Sequence, residues 1–370
     1  MTPVPETPLV LIGVGGAGSI IVRGVRRAYG GNLRAIAIDT DASSGAAGDI
    51  DFALLGGNRL SGRGAGGQSG AVRAAFQDDP AFLDTRLAGA RTAIVVSCLG
   101  GGTADGATAE LLKRLHSLGM TTLVFATLPF AFEGDDRTRE AKAALGPMTA
   151  HADALAQIPL DSLLEDTGTD NFQAALGRAA DILASGVTLL WRILEKPGYI
   201  KLDSERLRNI IYGSGLVRFA SVSATGDDRA ATVLERLRNS PLLAATGSAR
   251  PIRKILLGIL AGDDLRLSEI NTLSTGTRAA FGPDAEFELG TVNDEATFSG
   301  RLSAVVLLFE ECATSNVRAV DGTRQRRRNL SPAESALASA NRFGGAEKTL
   351  WNDEDLDIPT YLRRNLTLDR

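Results

Sequence analysis

The chain has 370 residues, 44% of them hydrophobic, and a formal net charge of −4. That length and apolar content support two domains with sizeable cores, and the acidic balance argues against a generic nucleic-acid binder. No apolar run reaches about 18 residues, so no membrane span is expected, and Met1–Thr7 lacks the basic-then-apolar order of a secretion signal.

Pro8-Leu9-Val10-Leu11-Ile12 reads as a buried strand that runs into the glycine loop Gly13-Val14-Gly15-Gly16-Ala17-Gly18. Leu33–Ile38 is a second buried strand, and Gly62-Arg63-Gly64-Ala65-Gly66-Gly67 a second glycine loop. Ala93–Cys98 is a third strand. It enters Gly100-Gly101-Gly102-Thr103-Ala104-Asp105-Gly106, and a helix follows from Ala107. Without Cβ atoms the glycines let backbone N–H groups approach an anion, and a helix N-terminus adds unpaired donors and partial positive charge. Strand, glycine loop, helix is therefore a phosphate cradle, and three such loops favour a nucleotide site over three plain turns. Thr121–Thr127 adds a further strand. Near-continuous apolar strands alternate with helices to about Leu164, which predicts a parallel sheet covered on both faces. Ligands of such sheets sit at the carboxyl ends of the strands, where all three loops fall.

Asn171–Leu194 predicts a long helix, apolar at Phe172, Leu176, Ala179, Leu183, Val187, Leu190 and Leu194. Ile182, Leu189, Trp191 and Ile193 make it apolar on more than one side, so it is expected to lie buried between two domains. Lys196-Pro197-Gly198 ends it. A helix over Ser204–Tyr212 leads to a strand-rich unit extending to about Ser315, clearest at Lys254–Ala261 and Ala304–Glu310. Beyond Val320, Arg324, Arg326, Arg327 and Arg328 precede a Ser, Ala, Asn and Gly stretch that reads as a linker. The arginines are either a solvated charge run or a contact for an anionic surface. The final stretch, Asp353–Arg364, holds Leu356, Ile358, Tyr361 and Leu362 between acidic and basic ends and is expected to dock on a partner. Cys98 and Cys312 read as buried thiols rather than a disulfide, which suits a reducing cytoplasm. His116 and His151 have no cysteine cluster beside them and make no zinc site.

Gly-Gly-Gly-Thr followed by a glycine within three residues resembles the tubulin/FtsZ signature, and the rest of the chain agrees in order. Ile38-Asp39-Thr40-Asp41-Ala42 is similar to the FtsZ segment after the second strand, and Gly64-Ala65-Gly66 with Arg73 resembles its third loop. Pro129–Gly134 resembles the FtsZ segment that meets the nucleotide sugar, and Pro197-Gly198 with Asp203 its synergy loop. Gly226–Ala230, Ser240–Leu243 and Ala261–Leu267 resemble parts of its second domain, and Leu356–Arg364 its C-terminal peptide. The resemblance implies an α/β, tubulin/FtsZ-like fold: a GTP-binding domain at 1–170, a central helix at 171–196 and a smaller α+β activation domain at 197–316. A linker at 317–350 and a partner-binding peptide at 351–370 would follow. It further implies GTP or GDP with Mg²⁺, head-to-tail filaments acting in cell division, and a cytoplasmic location at the division site. A membrane tether such as an FtsA-like protein would bind through residues 355–364.

Carried over by the resemblance, the nucleotide would meet Gly15, Gly16, Ala17, Asp41, Ala65, Gly66, Gly67, Gly100, Gly101, Gly102, Thr103, Ala104, Asp105, Glu133 and Arg137. Asp181 would be the main reader of the base, because Leu176 and Ala180 stand where the family has an aromatic and a polar residue; Ile20 replaces another polar residue. In this family the next subunit caps the site with an asparagine and two acids. The matching positions here are Lys201, Asp203 and Arg206, so one acid of the set persists. Glu205 is about 100° round the helix from Arg206 and is expected to point elsewhere. An arginine stays protonated and cannot take a proton from water. Arg206 would therefore hold the γ-phosphate in its ground state, as a base does at the silent site facing β-tubulin, or would stabilise transition-state charge as an arginine finger.

Asp105 stands where the family has threonine or serine. It would cap the following helix, ligate Mg²⁺ or repel phosphate. Function is thus expected to be that of an FtsZ-like GTPase with slow turnover at the subunit interface. The alternatives are a nucleotide-independent structural filament, an accessory partner of a standard FtsZ, or a Rossmann-type dinucleotide enzyme suggested by Gly13–Gly18 alone.

Overall fold

The computed structural model describes residues 9–46, 48–163, 172–196, 198–202, 204–244, 250–311, 350–351 and 354–355. Cys312, Asp203, the arginine cluster at 324–328 and most of the C-terminal peptide lie outside the described residues.

In chain order, the first part runs β1 (Leu9–Val14), α1 (Gly15–Tyr29), β2 (Ala35–Asp39), β3 (Asp51–Leu54), α2 (Gly57–Leu60), α3 (Ser69–Asp78) and α4 (Asp84–Leu87). It continues through β4 (Thr92–Cys98), α5 (Gly102–Ser117), β5 (Thr121–Leu128), α6 (Asp135–His151) and β6 (Ala154–Pro159). The long helix is α7 (Phe172–Glu195). After it come α8 (Ser204–Ile211), β7 (Gly215–Thr225), α9 (Arg229–Arg238), β8 (Ile252–Ala261), α10 (Leu267–Phe281), β9 (Glu286–Asn293), α11 (Glu295–Phe298) and β10 (Arg301–Glu310).

Strands β1 to β6 pair in parallel in the order β3-β2-β1-β4-β5-β6, as the apolar runs predict. β1 reads buried at all six positions and β4 at six of seven, the signature of strands covered on both faces. The same sheet then continues as β7-β10-β8-β9, giving ten strands in all. One sheet thus runs through both the parallel and the mixed part, and residues 1–316 form one compact unit. β6 joins β7 through three parallel pairs, from Ala154↔Gly215 to Ala156↔Val217. β10 lies antiparallel to both β7 and β8, while β9 is parallel to β8.

Helix α7 lies against α1 on one side and against β7, β8, β9 and β10 on the other, so it joins the first half's helix layer to the strands of the second half. Leu183, Val187, Leu190, Trp191 and Ile193 are buried, and they share a core with Val22, Phe219 and Val305. This agrees with a helix apolar on more than one side. Its C-terminal end carries a buried ionic hub. Arg192 donates to Asp294 Oδ2 at 2.8 Å and to the α1 carbonyls of Ala28 and Tyr29 at 3.2 and 3.4 Å. Lys196 shares the same Asp294 oxygen at 2.6 Å, and Trp191 Nε1 donates to Glu195 at 2.6 Å.

Residues 317–370 form a second unit. Within it, β11 (Leu350–Trp351) and β12 (Glu354–Asp355) pair antiparallel. Among the described residues no helix is long and apolar enough to cross a membrane.

Candidate nucleotide site

A cleft of about 610 Å³ opens at the carboxyl ends of β1, β4 and β5. Its floor is Gly15, Gly16 and Ala17 at the start of α1, and Gly100 to Ala104 at the start of α5. Neither helix start has a side-chain cap: the N-cap positions are Val14 and Gly101. The first-turn N–H groups of an uncapped helix lack acceptors, and two such ends meeting at one cleft favour an anion there. A Cβ on Gly101 would meet nothing within 4 Å, so the space above that residue is open. Elsewhere the glycines are required by contact. A Cβ on Gly18 would lie 2.7 Å from the Val96 carbonyl oxygen, and one on Gly106 2.4 Å from that of Ser69.

Thr103 is held from behind. Its hydroxyl lies 2.7 Å from that of Thr40 and donates to Asp39 Oδ1 at 3.3 Å. Asp39, 4% exposed, also accepts from the Thr40 N–H at 2.7 Å and the Ser44 hydroxyl at 2.7 Å. This carboxylate ties β2 to the α5 loop, and sequence reasoning passed over it. The signal available was a carboxylate ending an otherwise apolar strand, Ala35-Ile36-Ala37-Ile38-Asp39.

Asp105 does something other than the expected capping. It lies inside α5, four residues past the Gly101 N-cap, and its Oδ1 accepts the Gly100 N–H at 3.0 Å. It therefore braces the loop that precedes the helix. Its Oδ2 is buried without a hydrogen-bond partner. Burial is the main cause that pushes the carboxyl up to about 6; Glu140 adds to this, while the Gly100 N–H and Arg137 oppose it. The carboxylate is 6% exposed and does not line the cleft, so it is not presented to a metal as expected. Among the described residues no group of three His, Cys, Asp or Glu side chains could hold an ion. The glycine floor fits phosphate, whereas this carboxylate does not fit the role of Mg²⁺ ligand.

The loop Ala65-Gly66-Gly67 packs beside the cleft rather than lining it. A Cβ on Gly102 would come within 2.8 Å of Gly67 C and 3.0 Å of Ala65 Cβ. Asp41 forms a β-bridge with Arg63 and accepts the Ser43 N–H at 2.8 Å. It too stands outside the lining.

The cleft is also lined by the polar Glu133 and Arg137 and by Ile20, Leu160, Gly177, Ala180 and Leu183. Glu133 Oε1 accepts the Phe130 N–H at 3.0 Å, and its Oε2 is paired with Arg137. Burial pushes the Cys98 thiol, another wall of the cleft, up to about 11, which keeps it neutral. Asp181 is exposed and is not among the lining residues. Ala180 lines the cleft, and Asp181 stands four residues after Gly177, which lines it too, so it sits at the edge of that helix face.

The second cluster named from the sequence lies near β9. Ile200 N–H donates to Thr291 Oγ1 at 2.9 Å and Thr291 N–H to the Ile200 carbonyl at 2.8 Å. Lys201 is exposed and Leu202 buried. Asp203 lies outside the described residues. Arg206 Nε pairs with Glu288 Oε2 at 2.8 Å while its side chain stays 60% exposed. Glu205 turns to Arg208 at 3.0 Å and Arg91 at 3.5 Å.

Residues 8–168 match the Tubulin/FtsZ family, GTPase domain. The fold is similar to that of an FtsZ from M. jannaschii, with 24% identity, a TM-score of 0.75, and coverage of 81% of this chain and 90% of that one. It is also similar to CetZ2 from Haloferax volcanii, solved as a GTPγS-bound protofilament: 24% identity, TM-score 0.69, coverage 84% and 95%. CetZ1 from the same organism, a GDP-bound monomer, matches at 18% identity and TM-score 0.71, with coverage of 83% and 95%.

Proposed function

The chain belongs to the tubulin/FtsZ family through its GTPase domain at residues 8–168, and from that premise we propose that it is an FtsZ-like cytoskeletal protein whose subunits assemble head to tail around bound GTP and hydrolyse it slowly. Guanine nucleotide binding follows from the family's GTPase domain. The observation that carries the reading is the meeting of two uncapped helix N-termini, at Gly15 and Gly102, on one glycine-floored cleft. Phosphates would lie on the first-turn N–H groups of α1 and α5, with Thr103 oriented by Thr40 and Asp39. The CetZ2 neighbour, solved as a protofilament, supports self-association.

Slow turnover is supported by Arg206. Nucleotide capped by the next copy of this chain would meet a guanidinium fixed on Glu288 where the family has a carboxylate. A guanidinium neutralises phosphate but cannot activate or deprotonate water, which leaves Asp203 as the one acid of the capping set. A second reading rests on the same pair. In a mixed filament, a standard FtsZ would cap this protein's nucleotide with both acids, and this protein would cap its partner's with Arg206. Residues 355–364 would dock on a membrane tether such as an FtsA-like protein and bring the filament to the division site.

GTP turnover by the purified protein with Mg²⁺, measured across a concentration series and paired with sedimentation, tests the reading. Bound GTP with filaments and a turnover that stays low above the assembly threshold is the expected result. A rate that switches on steeply at that threshold overturns slow hydrolysis. Filaments that form equally without nucleotide overturn the GTP-linked assembly. Acceleration in a mixture with a standard FtsZ supports the mixed filament, and an unchanged rate opposes it.

A further inference from the structure

The glycine floor of the cleft has a carboxylate one hydrogen bond behind it. Gly100 lines the cleft, and its N–H is given to Asp105 Oδ1 at 3.0 Å. Gly102, Thr103 and Ala104, whose N–H groups open α5, line the same cleft. Asp105 follows them in the first turn, 6% exposed, with its Oδ2 buried and unpartnered. A negative charge thus sits against the loop on which phosphates would lie. We infer that Asp105 couples nucleotide binding to the uptake of one proton: ionised, it repels the phosphates, and a proton taken from solvent onto Oδ2 removes that repulsion. The inference rests on the nucleotide-binding reading above and names what regulates the affinity of that site.

Buried charges are screened far less than exposed ones, and a like charge nearby favours the protonated carboxyl. The charged neighbours offer little compensation. From α6 come Glu140, which adds to the repulsion, and Arg137, which opposes it but is paired with Glu133. At the end of β2, the Asp39 carboxylate lies behind Thr103 and adds a further negative charge. Helix α3 packs on α5 with Val72, Ala75 and Phe76 buried, while its Arg73 and Asp78 are exposed. Strands β1, β4 and β5 bring no acid or base besides the Cys98 thiol, which burial keeps neutral. Burial already pushes the Asp105 carboxyl up to about 6, so phosphates need raise it by only about one unit more for it to titrate near neutral pH. A brace alone would behave differently. Oδ1 accepts the Gly100 N–H whether or not Oδ2 carries a proton, so the brace itself gives no pH dependence.

The test is calorimetric titration of the full-length protein with GTPγS and saturating Mg²⁺, in buffers of unlike ionisation heat, for the wild type and Asp105→Asn. The nucleotide's own titration is common to both proteins, so their difference isolates Asp105. Near pH 7 the wild type should take up about half a proton more per nucleotide than the variant. Its affinity, relative to the variant's, should fall about fivefold between about pH 6 and pH 8, leaving Asp105→Asn about tenfold tighter at the upper end. Asp105→Ser carries the same comparison if asparagine prevents folding. Equal proton uptake and parallel pH profiles in the two proteins overturn the inference. Weaker binding by the variant at every pH, lost together with its dependence on Mg²⁺, overturns it too and makes Asp105 a metal ligand. Failure of the nucleotide to bind either protein at any pH overturns the nucleotide reading and this inference with it.

Discussion

The nucleotide cleft and the α8 face solve their tasks with different parts of the chain. The cleft floor is backbone: glycines, uncapped helix starts and strand ends. Its donors are backbone N–H groups, so its chemistry depends on the path of the chain, which the tightly packed glycines permit, more than on any side-chain function. The α8 face works through side chains, so one substitution changes what it does. In the proposed filament, Arg206 in place of an acid would turn a surface that could orient water into one that holds an anion. On the proposed reading, binding and turnover would separate within one fold, the first persisting while the second fades.

The largest effect is expected where the cleft is tightest. Gly102→Val drives side-chain atoms into Gly67, Gln68 and Ala65. Nucleotide affinity should fall by about 100-fold, or about 3 kcal/mol, in a titration with fluorescent GDP, and retained affinity would mean that the 65–68 loop moves freely. On the other face, Arg206→Asp should raise GTP turnover by at least about tenfold. Glu288 would then confront the new carboxylate, so the gain should be larger in Arg206→Asp with Glu288→Gln. Turnover unmoved by both would remove α8 from the reaction.

Asp105→Asn should have a smaller effect. Burial holds this carboxyl at about 6, above its ordinary value near 4, so between about pH 4 and 6 the native state binds more protons than the unfolded chain. Stability contributed by the protonated form is present below that window and is lost as pH rises through about 6. Asparagine stays neutral and can still accept the Gly100 N–H, at the cost of a buried amide donor. A net gain of about 1 kcal/mol at pH 7.5, with a flatter pH dependence, is expected in denaturant melts. An unchanged pH profile would show the carboxylate to be solvated. Smallest of all, deleting the residues after Trp351 should leave sedimentation unchanged while abolishing capture by an FtsA-like tether.

What was legible in the sequence follows the range of the forces involved. Glycine loops and apolar strands are local signals, so β1, β2, β4 and β5 fall where expected, while α5 starts at Gly102, inside the glycine loop and five residues before the expected Ala107. Edge strands gave little signal because one face is wet: β3 is buried at one position of four, and β9 opens on exposed and half-buried residues. Nothing in the sequence signalled that β7 continues the sheet beside β6. Asp105 shows the limit at the site itself: its side chain turns back to the Gly100 N–H. Spacing along a helix fixes which residues share a face but not what each side chain bonds to. Nor could spacing reveal that Arg206 pairs with Glu288 on a strand distant in sequence.

An unbroken sheet also sets where the molecule yields under tension. The β10–β7 ladder runs over nine residue pairs, from Arg301↔Thr225 to Phe309↔Val217, whereas β6 grips β7 through the three pairs from Ala154↔Gly215 to Ala156↔Val217. Pulled apart by its two ends, the sheet has its seam at that short grip, and the Arg192–Asp294 pair acts as a rivet between α7 and the turn after β9. A filament built from such subunits would tear within a subunit at this seam if its joints between subunits were the stronger, so its tensile limit is written into three rungs of backbone.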